Sequence, residues 1–194
     1  MKRKVPVFVI LGSCLILASL CCALFFGIRT YLGSKTCRQV VSRMEALLPE
    51  RISGESGSNS DIAMPVLSIG GTDYVALLEI PAFGTELPVA DLWDGSNLST
   101  CPARFCGSSY DNTLVIGGTD SARQFGFCDQ IQHETIVTVI DMTGSEFSYS
   151  VSRIDRAKHA ETQWLTDERW DLTLFCYDVY SMEYIAVRCV GIYS

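Results

Sequence analysis

Hydrophobic positions follow two regimes along the chain. From Val5 to Ile28 they run on as about 24 uncharged residues, the length of an α-helix that crosses a bilayer. From Met64 onward they come in short bursts separated by glycine and polar turns. "DYVALLEI", "ELPVADLW", "NTLVIGG", "ETIVTVID", "EFSYSVSRID", "WDLTLFCY" and "EYIAVRCVGIY" are such bursts. "ETIVTVID" and "EFSYSVSRID" alternate with period two, and Met142-Thr143-Gly144-Ser145 between them reads as a turn. Regular short strands of this kind predict an all-β barrel or sandwich. Short helical turns are expected at "TDERW", "SARQF" and residues 97–105.

The two regimes are bridged by "SKTCRQVVSRMEALLPE". Val40, Val41, Met44, Leu47 and Leu48 line one side of a short amphipathic helix there, and Pro49 ends it. "SGESGSNSD" is a polar glycine–serine linker. The expected organisation is a membrane anchor over 1–33, a juxtamembrane helix and linker over 34–63, and a folded domain over 64–194.

Charge adds orientation. Lys2, Arg3 and Lys4 precede the apolar run, and Arg29 and Tyr31 follow it. Three basic residues before the run and one after predict the N-terminus inside and the bulk of the chain outside, a single-pass protein of the cell membrane. A cleaved signal peptide would have a shorter apolar core and a small-x-small site. Here the run continues through Ala23-Leu24-Phe25-Phe26. The formal net charge is −7, and residues 1–33 hold four basic and no acidic residues, so the remainder is more acidic still. Such a domain lacks the basic surface that phosphate contacts need, which excludes nucleic acid as a partner.

Of nine cysteines, Cys14, Cys21 and Cys22 lie in the apolar run, where cysteine behaves as a small apolar residue. Cys37, Cys101, Cys106, Cys128, Cys176 and Cys189 lie beyond it. None forms a C-x-x-C pair, and His133 and His159 are far apart, so no zinc site is expected. Cys101 and Cys106 are near enough in sequence for a local disulfide, but the connectivity of Cys101, Cys106, Cys128 and Cys189 stays open at this stage.

The segments "LEIPAFGTELPV", "TLVIGGTDSARQFG" and "WDLTLFCYDVYSMEYIAVRC" resemble, in order and spacing, those of sortases. Sortases are membrane-anchored cysteine transpeptidases, mainly of Gram-positive bacteria, on an eight-stranded β-barrel. The resemblance covers residues 64–194 and implies that barrel, a cell-surface location, and sorting-signal peptides, pilins or other sortases as partners. It implies no cofactor. The family uses a histidine after an apolar strand, a cysteine at the end of a later strand, and an arginine on the next strand.

A gapless match puts Thr119, after Gly117-Gly118, at the histidine position. Counting back eleven residues from Arg188, which fills the arginine position, puts Tyr177 at the cysteine position. Cys176 falls one residue earlier, and successive strand residues point to opposite faces. Tyr177 is therefore expected on the face of Thr119 and Arg188, and Cys176 on the other, unless a bulge intervenes. Asp120 is a poor substitute base, because a carboxylate beside a thiol raises its pKa. His133 and His159 read as surface residues. Arg188 either serves a substrate carbonyl or pairs with a strand neighbour such as Glu183 or Asp178. Two readings of the site stay open. One is a degenerate, non-catalytic binding module. The other is a rewired cysteine transpeptidase or hydrolase using Cys176 and Arg188 with His159.

Overall fold

The structure, a computed structural model, describes the backbone of residues 7–54 and 63–192, and the side chains of 11–25, 37–54 and 63–192. Lys2, Arg3 and Lys4, the side chains of Arg29 and Tyr31, and the linker from residue 55 to 61 lie outside the described residues. The chain divides into two compact units, Met1–Thr36 and Cys37–Ser194.

Helix α1 spans Val7–Leu47. The bridging segment is thus the end of one long helix rather than a separate short one. Gly33-Ser34, the break suggested by the sequence, lies within it. A lone helical glycine costs only about 1 kcal/mol relative to alanine, too little by itself to end a helix. In the first unit Leu11, Leu15, Ile16, Leu17, Leu20, Leu24 and Phe25 are exposed. Among the described residues, no helix is long and apolar enough to cross a membrane.

The second unit is a closed barrel. Its strands are β1 (Ile52–Ser53), β2 (Leu67–Ile69), β3 (Thr72–Ile80), β4 (Thr85–Ala90), β5 (Ala103–Cys106), β6 (Leu114–Thr119), β7 (Ile136–Asp141), β8 (Ser145–Ala157), β9 (Leu172–Asp178) and β10 (Glu183–Gly191). Eight of them close a circuit, β3–β4–β5–β6–β9–β10–β8–β7 and back to β3. Closure leaves these strands without free edges, which decides between barrel and sandwich. The short β1 adds to β8, and β2 pairs with the first residues of β3. Gly70 and Gly71, at φ +64° and +87°, make the two-residue turn between β2 and β3.

Alternation along the strands sorts side chains into an interior and two covered outer patches. Val75, Leu78, Ile116, Val139, Leu174 and Val187 are among those filling the interior. On one outer patch Val40, Val41 and Met44 from the end of α1 pack on Leu77, Ala90, Ala103 and Ile140. On another, Leu165 and Trp164 pack on Val115, Phe175 and Ala186 of β6, β9 and β10.

Three helical expectations need correction. In residues 97–105 only the end of a short helix, α2 (Gly95–Leu98), is present. Asp94 caps it through Asn97 N–H at 2.7 Å, and Ala103–Cys106 then pairs with β6. "SARQF" forms hydrogen-bonded turns in which the Ser121 carbonyl accepts from Gln124 and Gly126 N–H. The helical turn expected at "TDERW" lies earlier, as α3 (Thr162–Leu165).

Candidate functional site

The parallel β6–β9 ladder and the antiparallel β9–β10 ladder bring three rows of side chains onto one outer face. Val115, Thr173 and Arg188 form the first row, Gly117, Phe175 and Ala186 the second, and Thr119, Tyr177 and Tyr184 the third. The intervening positions, among them Gly118, Cys176 and Ile185, turn inward. Tyr177 is 41% exposed and its ring meets that of Tyr184 at 5.0 Å. Cys176 is 1% exposed and belongs to the barrel interior. No bulge intervenes between Cys176 and Arg188 in the β9–β10 register, so the alternation expected from the sequence holds.

The middle row is roofed by aromatic rings. Trp93 lies 5.2 Å from Phe175 and 5.6 Å from Phe105, and Phe105 lies 5.6 Å from Phe175. Gly117 makes this possible: a Cβ there would sit 2.6 Å from the Phe175 ring and closer still to Trp93. Trp93 and Phe105 come from the β4–β5 connection and β5, segments that read as the end of a strand and as a helical turn in the sequence. Their place in the site became visible only with the β5–β6 pairing.

Arg188 is buried to 1% exposure under α3. Its Nη1 donates to the Leu165 carbonyl at 3.1 Å and to Thr173 Oγ1 at 3.0 Å, and Nη2 donates to the Trp164 carbonyl. Nε donates to Asp155 Oδ2 at 3.3 Å, and the guanidinium lies 4.8 Å from the Trp164 ring centroid. Its carboxylate partner is therefore Asp155 of β8, not Glu183 or Asp178. Burial pulls the guanidinium pKa down, and the Asp155 carboxylate opposes that shift. In this state Arg188 fastens the β8–β9 connection to the sheet and presents no open fork of donors.

The other predicted residues are dispersed. The Thr119 hydroxyl is exposed and lies 3.1 Å from Ser121 Oγ, while the Thr119 N–H donates to Gln124 Oε1 at 2.8 Å. Asp120 lies near Asp178; burial first, then the Asp178 and Asp129 carboxylates, raise its pKa. Asp178 is held below its ordinary value by the Ser181 hydroxyl and the Tyr180 N–H. His133 and His159 are exposed. His159 follows the row formed by Ala157 and Tyr184, so its connection starts at the Tyr177 end of the sheet. Cys101 and Cys106 are both free thiols in separate clusters, so the local disulfide between them is not formed. Cys128 and Cys189 are buried in the interior. Among the described residues, no group of three or more histidine, cysteine or acidic side chains is placed to hold a metal ion.

Beside the first row lies a cavity of about 190 Å³ lined by Cys106, Thr113, Leu165, Asp167, Trp170 and Thr173 among others. The buried Trp170 indole N–H has no hydrogen-bond partner there. The Cys106 thiol is pushed up by burial, with Arg104 opposing, so it has no thiolate character to bring to the site.

No protein-family model matches the chain, and no curated protein matches it by sequence. Solved structures do match. Sortase A from Corynebacterium diphtheriae is 17% identical at a TM-score of 0.54, covering 87% of this chain and 86% of that one. Sortase C1 from Streptococcus agalactiae is 20% identical at 0.55, covering 66% and 72%. The sortase C1 of GBS Pilus Island 1 is 15% identical at 0.52, covering 61% of this chain and 64% of that one, so this chain spans less than two thirds of its length. The likeness is one of backbone architecture: this chain has the sortase fold.

Proposed function

We propose that the chain is a membrane-anchored member of the sortase family that has lost transpeptidation. In this reading it acts at the cell surface as a binding module for a sorting-signal peptide, a pilin or an active sortase. The observation that carries the reading is the pairing of Tyr177 with Thr119 on the outer face while Cys176 is turned inward. A sortase nucleophile must be a thiolate beside a base or cationic partner. Neither residue of the Thr119–Tyr177 row supplies a thiol or an imidazole, and Arg188 has its donors committed to Asp155, Thr173, Trp164 and Leu165. What remains is an aromatic-roofed face with a polar-lined cavity beside it, a surface suited to holding an extended peptide.

The test is incubation of the purified full chain with a panel of sorting-signal peptides, following both binding and cleavage. Binding without cleavage is expected. Cleavage that Cys176→Ala abolishes would instead establish the rewired enzyme. The anchor reading rests on the uncharged run Val5–Ile28 and on the exposed apolar side chains of residues 11–25. Protease added to intact cells should remove the domain, and survival of the domain alongside a cytoplasmic marker would reverse the assigned topology.

A further inference from the structure

Cys128 and Cys176 meet inside the barrel. Each is 1% exposed, and both belong to the interior cluster with Ile116, Phe127, Ile131 and Ile185. The two thiols are close enough for each to bear on the other's ionisation.

The backbone leads both to the same stretch of the β6–β9 ladder. Cys176 pairs with Gly118 across the β6–β9 ladder. The missing side chain of Gly118 leaves room for the Phe125 ring, which lies 2.9 Å from where a Cβ would stand. The Phe125 carbonyl then accepts the Cys128 N–H at 2.9 Å, which sets Cys128 one turn further on. The other interior cysteine cannot compete. Cys189 pairs with Leu172, four rungs along β9 from Cys176, about 13 Å at strand rise, whereas a disulfide needs Cα atoms within about 7 Å.

We propose that Cys128 and Cys176 are a redox pair that closes to a disulfide when the chain folds in the presence of a disulfide oxidant. A thiolate of the pair attacks the oxidant's disulfide and forms a mixed disulfide. The second thiolate displaces the oxidant's remaining sulfur. One S–S bond forms and one breaks, and the oxidant leaves as two thiols carrying the two electrons and two protons. The bond ties the turns after β6 to β9 directly beneath Tyr177, and it withdraws Cys176 from any nucleophilic role. The pairing does not depend on the binding-module reading, since it concerns the barrel interior and not the outer face of Thr119 and Tyr177.

The experiment is to refold the full chain from denaturant into detergent micelles in a buffer of reduced and oxidised glutathione. The folded fraction is isolated, acid-quenched, denatured and alkylated, and its peptides are mapped by mass spectrometry. The expected result is a linked peptide pair joining Cys128 to Cys176, two hydrogens lighter than the free thiols, with alkylation of both at background. Dithiothreitol added after denaturation should make both alkylatable. Finding both thiols alkylated without reductant, or either linked to glutathione or to another cysteine, would overturn the proposal. Peptide binding and cleavage are read separately, so failure here leaves the proposed function standing, and the reverse also holds.

Discussion

Tyr177 and Thr119 are partners across the parallel β6–β9 ladder, on the same outer face. By the family resemblance these are the positions of nucleophile and base. Neighbouring parallel strands lie about 4.8 Å apart, so a cysteine and a histidine at this rung would be within reach of a hydrogen bond. In the proposed reading this rung keeps the frame of a catalytic pair without the two side chains that would use it.

That geometry predicts a reconstruction. Tyr177→Cys alone supplies a thiol with no base, and Thr119→His alone a base with no thiol. Both singles should leave cleavage of sorting-signal peptides at background. The double variant should exceed either single by roughly 10²-fold, the lower range for a positioned general base, because the two groups act as a unit. Equal activity in the double variant and in Tyr177→Cys, measured by peptide cleavage, would show that the rung does not align them.

Arg188 predicts a stability effect. Arg188→Ala leaves the Trp164 and Leu165 carbonyls and the Thr173 hydroxyl without their donor and the Asp155 carboxylate short of a partner. Removing one partner from a buried ionic network costs about 3–5 kcal/mol. Arg188→Lys should recover only part of this, since an ammonium cannot reproduce the planar fork. Asp155→Asn should cost less, because Asp155 is partly exposed, its amide oxygen can still accept from Arg188 Nε, and the exposed pair with Arg153 that is also lost contributes little. Urea denaturation of the three variants reads the order.

How much of this was legible in the sequence differs residue by residue. The opposite facing of Cys176 and Tyr177 followed from strand parity and a count to Arg188, and such local periodicity survives folding. β5 was hidden because Pro102 and the cysteines at 101 and 106 mask a four-residue strand defined by its pairing with β6 and, at Ala103, with β4. The Asp155 partner of Arg188 was out of reach. Arg188 pairs in register with Arg153, and a shift after Arg188 offsets the rest of the β8–β10 ladder. Trp93 over Gly117 and Cys128 against Cys176 are likewise products of closure, set by contacts distant in sequence.

Gly117 predicts a packing effect. A methyl group there collides with Trp93 and Phe175, and the rings are hemmed in by Phe105. Gly117→Ala should destabilise the chain by about 1–3 kcal/mol, the usual cost of overpacking, and change the fluorescence contributed by Trp93. Adding Trp93→Leu should recover most of the lost stability by freeing the space above residue 117. If that second change instead adds its own full cost, the collision that matters is the one with the Phe175 ring and not with the indole.

Asp120 and Asp178 predict a pH dependence. They directly follow the Thr119–Tyr177 rung, and the Asp178 carboxylate bears on Asp120. Asp120 has a raised pKa, so between its unfolded value, about 3.9, and its folded value the native state binds more protons than the unfolded state. Stability therefore falls as pH rises through that window, and above it the ionised Asp120 remains a constant penalty. Asp178 has a lowered pKa and works in the opposite sense: its contribution is present above the unfolded value and is lost as pH falls through the folded one. Asp120→Asn removes the first effect and leaves the second, because an amide does not ionise and can donate to the Asp178 carboxylate. The variant should be more stable than the natural chain at neutral pH, and the difference should shrink as pH falls through the window. Denaturation at a series of pH values checks both the sign and the convergence. A variant less stable at pH 7 would mean that the Asp120 carboxylate is held ionised by a cation rather than disfavoured by burial and by Asp178.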